Sequence, residues 1–203
     1  MDYKMLVNRD NKIERETYEN EIVPNIVAVK TRKNNEVVFR AFGIEDKKTY
    51  LEKKTAKKFK EFQGFAKKNG IIIDITSGYL SFEQQDKKYK YFIEKGGKEW
   101  AEKSSCPAGY SEHNTGLAMD FDIFLNGRWG GIALDRDGNI NEQTKFLHKH
   151  LHEFGFILRY PKGKEDITKM KFEPWHIRYV GEELAKYIYE NNITLEEYYS
   201  QKV

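Results

Sequence analysis

From Met119 to Ile123 the chain reads Met-Asp-Phe-Asp-Ile, an unbroken alternation of apolar and acidic residues. A period of two is that of a β-strand, so Ala118, Asp120 and Asp122 project to one side and Met119, Phe121 and Ile123 to the other. The apolar side faces a core, which leaves ionisable groups on a half-buried surface. An ionised carboxylate there is costly unless it is paired, hydrogen-bonded or bound to a cation, so Asp120 needs a partner. His113 lies seven residues upstream, and Gly116 permits a turn that folds it back beside the strand. One imidazole and one carboxylate are half of a tetrahedral zinc shell. On this segment alone, a hydrogen-bonded loop entering a strand is the commoner outcome.

The 203 residues are enough for one domain with a sizeable core, and the expectation is a single domain over residues 1–203. Hydrophobic residues make up 39% and aromatic residues 14%, which argues against disorder. The 35 basic and 32 acidic residues nearly balance, which argues against a nucleic-acid binder. A lone cysteine, Cys106, rules out an internal disulfide, so packing or a metal must hold the fold. There is no apolar run long enough to span a bilayer and no leader pattern at the start. The expected location is cytoplasmic if the N-terminus is native, and the cell envelope if a leader or anchor was removed.

Elsewhere helices and hairpins are interspersed. "NIVAVKTRKNNEVVFRAFG" predicts a hairpin of two β-branched runs. Residues 49–69 predict a helix, with Leu51, Phe59, Phe62 and Phe65 on one face and Gly70 as its stop. "IIIDI" reads as a buried strand. Ser81 and Gln84 form a capping box that starts a helix at Phe82, interrupted or ended by Gly96-Gly97. Turns are expected at Asn126-Gly127 and Asp137-Gly138, within a hairpin. "EQTKFLHKHLHEFG" reads as a short helix, and "FILRYP" and "EPWHIRYVG" as strands. Two helices follow, the last capped by Thr194 and Glu197. This pattern predicts an α+β fold: a small, mostly antiparallel sheet with helices packed around it.

"EPWHIRYVG" supplies a second chemical motif. As a strand it puts His176 and Arg178 on one face and Trp175, Ile177 and Tyr179 on the other. Glu173 precedes His176 by three residues, with Pro174 stiffening the chain between them. A second histidine and a free carboxylate are what a hydrolytic zinc site lacks once His113 and Asp120 are in place: a third ligand and a general base. Taken alone, the same residues read as a surface acid and an ordinary strand histidine.

Together the two motifs are far more specific. "SEHNTGLAMD" fits Ser-x-His-x-x-Gly-x-Ala-x-Asp, and with "GFILRYPKGKEDIT" and "EPWHIRYVG" it resembles the zinc D-alanyl-D-alanine carboxypeptidases and dipeptidases of the VanY and VanXY type. "LVNRDNKI", "ITSGYLSFEQQ" and "TLEEYY" extend the resemblance over most of the chain. It implies one zinc ion per chain, held by His113, Asp120 and His176 in a cleft over the sheet, with Glu173 as catalytic base. Ser111 and Gln85 match positions that contact the substrate. The implied reaction is hydrolysis, by a metal-activated water, of the terminal D-Ala-D-Ala bond of a peptidoglycan stem peptide or precursor. The alternatives are a D,D-dipeptidase, another peptidoglycan peptidase, or a non-catalytic binder of such peptides. The last arises because Leu80 stands where the family usually has an arginine. Arg40, Arg159 and Arg178 are candidates to replace that cation.

Three weaker signals are set aside. His148, His150 and His152 cluster without an HExxH pattern and read as ordinary helix residues. "DRDGN" places Gly138 at the fourth position, not the sixth that a calcium loop requires. Cys106 carries no cysteine-protease signature.

Overall fold

Alternating segments become strands and the amphipathic ones become helices, as the computed structural model shows; it describes residues 1–31, 48–132 and 134–201. Helical turns over residues 15–25 lead into β1 (Ile26–Val29), which pairs antiparallel with β2 (Thr49–Glu52). The second run of the expected N-terminal hairpin falls outside the described residues, as does Arg40. The helix expected from residue 49 begins later, as α1 (Lys53–Lys68). Thr49 to Glu52 are committed to the ladder with β1, and the Glu52 carboxylate caps the helix by accepting from Thr55 N at 2.9 Å.

The main sheet is antiparallel, in the order β3 (Ile72–Ser77), β4 (Ala118–Leu125), β7 (His176–Tyr179), β6 (Phe156–Leu158), with β5 (Arg128–Trp129) added to β4. "IIIDI" is buried on one face only: Ile71, Ile73 and Ile75 are buried and Ile72 is exposed. β4 and β5 close through Asn126 and Gly127, both at positive φ (52° and 78°), the geometry of a tight hairpin turn. Asp137-Gly138 makes a local turn closed on Asp135, with no strand pair around it among the described residues.

One face of the sheet carries the core. Met119, Phe121 and Ile123 of β4 and Ile177 and Tyr179 of β7 pack with Phe59, Phe62 and Ala66 of α1. Phe62 meets Phe121 at 6.3 Å between ring centroids, and Phe59 meets Phe156 edge-on at 6.4 Å. Leu147 and Leu151, from α3 (Glu142–His150) and the turn after it, close the same cluster. The C-terminal α5 (Glu182–Asn191) and α6 (Leu195–Ser200), which follow the short α4 (Glu165–Thr168), cover Ile157 and Val180. The Thr194–Glu197 capping box that starts α6 forms as read from the sequence.

The opposite face is overlaid by α2 (Phe82–Ser104) and the loops after it. Its capping box forms between Ser81 and Gln84, and Gly97 (φ 79°) breaks the helical path at the glycine pair. Trp100 then stacks on Phe92 across the break at 5.0 Å. No helix among the described residues is long and apolar enough to cross a membrane.

Candidate metal centre

Asp120 and His176 are brought together by register. They are directly paired across the β4–β7 ladder, and Nδ1 of His176 lies 3.0 Å from Oδ1 of Asp120. His113 arrives from a 3₁₀ turn over Glu112–Thr115 that ends at Gly116 in the left-handed region (φ 69°). A side chain at residue 116 would collide with the Ile26 side chain and lie 2.8 Å from Glu52 N, so only glycine fits the approach of this turn to β2. Nε2 of His113 then lies 3.5 Å from Oδ2 of Asp120. One donor atom from each of His113, Asp120 and His176 falls within 4.8 Å of the other two, the one such group of three or more among the described residues.

The two imidazoles are oriented from behind. Nδ1 of His113 donates to the Gly78 carbonyl at 2.8 Å, which leaves the Nε2 lone pair facing Asp120. His176 turns Nε2 towards Oε2 of Glu112 at 3.6 Å, leaving Nδ1 on the Asp120 side. Neither Glu112 Oε2 nor His176 Nε2 has a hydrogen-bond partner among the described residues. Burial lowers the His113 pKa below its ordinary value against the pull of Asp120, which favours the neutral form of the ring, the form that binds a metal. Burial also opposes a charged His176, but the adjoining Asp120 and Glu112 carboxylates win and raise its pKa to about 9. Burial acts to raise the Asp120 pKa, yet the two imidazoles hold it well below the usual carboxylate range. Two nitrogens and one carboxylate with converging lone pairs fit a divalent cation such as zinc.

Glu173 lies at the edge of this group, its Oε2 4.0 Å from Nδ1 of His176. The turn that places it is closed by His176 N donating to Glu173 O, and Glu173 N donates to Tyr160 O. Burial, reinforced by the nearby Asp120 charge, pushes its pKa up to about 7, in the range of a group that both accepts and returns a proton near neutrality. His148 has a part here that its sequence context did not reveal: Nε2 contacts the Pro174 carbonyl at 2.8 Å and so braces the Glu173–His176 corner. His150 pairs with Glu153 and His152 stacks on Tyr189, so the histidine cluster of α3 and the turn after it is structural.

Glu112 is the main residue that the sequence reading missed. Its side chain is fully buried, and its Oε1 accepts from Arg159 Nε at 2.7 Å and Arg178 Nη1 at 2.8 Å. Arg159 also holds Glu196, and Arg178 donates to the carbonyls of Tyr3 and Met5. Arg178 does share a strand face with His176, but both guanidinium groups are spent in this network behind the histidine. Neither replaces a cation at Leu80, which is itself buried.

The triad and Glu173 lie in a cleft of about 240 Å³, also lined by Ser77, Lys88, Phe92, Ser105, Cys106, Ser111, Tyr160, Lys171 and Trp175. Ser111 is therefore at the cleft surface. Gln85 is behind the wall: its amide nitrogen donates to Ser105 Oγ and Cys106 O, and its Oε1 has no partner among the described residues. The Cys106 thiol is buried and its pKa raised by that burial, the opposite of an activated nucleophile. Asp122 accepts from the backbone of Ile123, Gly130 and Ile132, and so pins the hairpin turn.

Three converging donors with a carboxylate of raised pKa beside them, in a cleft over an antiparallel sheet, are the layout of a metal-dependent hydrolase. The chain belongs to the VanY family of D-alanyl-D-alanine carboxypeptidases, whose family model matches residues 48–182. It is 34% identical over 195 residues to a D-alanyl-D-alanine carboxypeptidase of Enterococcus faecium, covering 96% of this chain and 56% of that protein. The chain thus spans a little over half the length of the curated relatives it first matches. Among solved structures it is similar to the LdcB LD-carboxypeptidase, with TM-score 0.76 and 34% identity over 96% of this chain and 84% of the other. It is also similar to a mutant of the D,D-pentapeptidase VanY from a VanB-type resistance cassette, in complex with Zn(II). There the TM-score is 0.70 and the identity 27%, over 97% of this chain and 98% of the other.

Proposed function

We propose that this chain is a zinc-dependent D,D-carboxypeptidase that removes the terminal D-alanine from peptidoglycan peptides ending in D-Ala-D-Ala. The observation that carries the reading is the convergence of His113, Asp120 and His176 with Glu173 at 4.0 Å from the nearer histidine nitrogen. His113, Asp120 and His176 would hold one zinc ion. Zinc bound there supplies Lewis acidity towards the scissile carbonyl and acidifies an adjacent water. Glu173 takes the proton from the attacking water and returns it to the departing amine, a role that typically contributes about 10²–10⁴-fold. Water attacks directly, so no acyl-enzyme forms. Ser111 lines the cleft where the peptide lies, and Gln85 shapes that wall from one layer behind it. The test is release of D-alanine from a D-Ala-D-Ala peptide by zinc-loaded protein. It should be abolished by a chelator and by Glu173→Ala; zinc-loaded protein that binds the peptide without turnover would mark a binding module instead.

A second reading is an L,D-carboxypeptidase, favoured by the likeness to LdcB. The two differ in the configuration of the residue on the acyl side of the cut bond. Paired assays on a peptide ending in D-Ala-D-Ala and on one ending in an L-residue followed by D-Ala separate them.

A further inference from the structure

A substrate cut by a carboxypeptidase ends in a carboxylate, one residue from the carbonyl under attack. That negative charge must enter a cleft that holds Asp120 and Glu173, and a divalent cation on the triad would offset Asp120 while serving the scissile carbonyl, so the terminal carboxylate still needs a partner of its own. Repulsion of this kind is costly in a half-buried site unless a cation is placed to meet it. Arg159 and Arg178 are fully buried behind Glu112 and do not line the cleft. Among the described residues, Lys88 and Lys171 are the only lysine or arginine side chains of the lining.

These two are not equivalent. Lys88 is on α2, three residues after Gln85, so both project from the same side of the helix. Gln85 is locked to Ser105 and Cys106, which fixes how that side meets the cleft. Phe92, one turn further on, also lines it. Lys88 is half-buried and lines the same cleft as His113 and Glu173. Lys171 is exposed and reaches Ser104 Oγ at 3.4 Å, which places it on the rim.

Building on the carboxypeptidase reading, we propose that Lys88 is the residue that recognises the terminal carboxylate of the substrate and so restricts the enzyme to chain ends. A lysine suits the task, since its compact charge on a flexible stem can follow the carboxylate into the cleft.

The experiment compares a D-Ala-D-Ala peptide bearing a free C-terminal carboxylate with its C-terminal amide, on the zinc-loaded full chain. Wild type should favour the acid by about 10–100-fold in kcat/KM, the usual worth of one charge-assisted contact. Lys88→Gln should lower turnover of the acid by that factor, chiefly through KM, and leave the amide unchanged. Lys88→Arg should restore most of the preference, and Lys171→Gln should keep it. Lys88→Gln protein that folds normally and still prefers the acid by the wild-type factor overturns the proposal. If wild type cleaves neither peptide, the carboxypeptidase reading fails on its own account. Lys88 is then judged by calorimetric binding of the same acid and amide to two proteins, the Glu173→Ala single variant and the Glu173→Ala, Lys88→Gln double variant. Equal discrimination in both refutes the proposal, and loss of discrimination in the double variant supports it.

Discussion

Asp120 and His176 are cross-strand neighbours on β4 and β7, and the ladder that pairs them also sets Oδ1 of the first 3.0 Å from Nδ1 of the second. Two ligands of the candidate metal centre therefore rest on paired strands of the sheet, and only His113 depends on a loop. Rigid strands hold ligand geometry better than loops do. Asp120→Asn should weaken zinc binding by roughly 100-fold or more in a chelator-competition titration, while the metal-free protein keeps its far-UV circular dichroism.

Glu173→Gln keeps the shape of the base and removes its function. The expected result is a fall in kcat of about 10²–10⁴-fold with KM and zinc content unchanged. Because its carboxyl sits at about 7 in the metal-free site, and a bound cation lowers that value, the acid limb of kcat/KM should lie at or below pH 7. A limb absent from both wild type and variant would remove Glu173 from the role.

Glu112→Gln tests the brace behind His176. Two buried arginines lose the charge of their shared partner, which costs about 3–5 kcal/mol when a buried pair is broken. A carboxamide facing His176 Nε2 also weakens the preference for the ring form that leaves Nδ1 available, and loss of such outer support typically lowers metal affinity about 10–100-fold. Denaturant melts of metal-free protein read the first effect and zinc titrations the second.

The metal-free protein should lose stability as pH rises. His176 binds its proton more tightly when folded, at about 9, than in an unfolded chain, at about 6.5. The stabilisation is fully present below about 6.5 and lost as pH climbs through about 9. Melting temperatures between these limits should fall for metal-free protein and not for zinc-saturated protein. By the same linkage, apparent zinc affinity should drop about tenfold per unit of pH below 9.

Gly116→Ala should destabilise the protein by about 1–3 kcal/mol, since residue 116 has φ 69° and a methyl group there meets Glu52 N at 2.8 Å. Moving the turn shifts His113, so zinc affinity should fall with stability, as chelator competition on the folded variant would show.

Much of this architecture is legible in the sequence, because alternation, capping boxes and glycine turns are local signals. β4, the starts of α2 and α6, and the break at Gly97 all follow from residues within a few positions of each other. The error at the start of α1 arose where a local signal met a distant one: Leu51 fits the helical spacing, yet β1 claims it for a ladder. Motif spacing and family resemblance single out His113, Asp120, Glu173 and His176 as candidates, but no pattern along the chain states that residues 120 and 176 share a register. Glu112 was invisible for a similar reason. A glutamate between a serine and a histidine looks like a solvated acid until two arginines from distant parts of the chain close over it.

The hydrogen bonds from Arg178 to the carbonyls of Tyr3 and Met5 carry a practical consequence. The first few residues are a stay for the guanidinium that steadies Glu112, so shortening the polypeptide by about five positions takes from a buried cation two of its acceptors and leaves it Glu112 and the Tyr179 carbonyl. Such a truncation should melt at a lower temperature and hold zinc less tightly, though every ligand is still encoded.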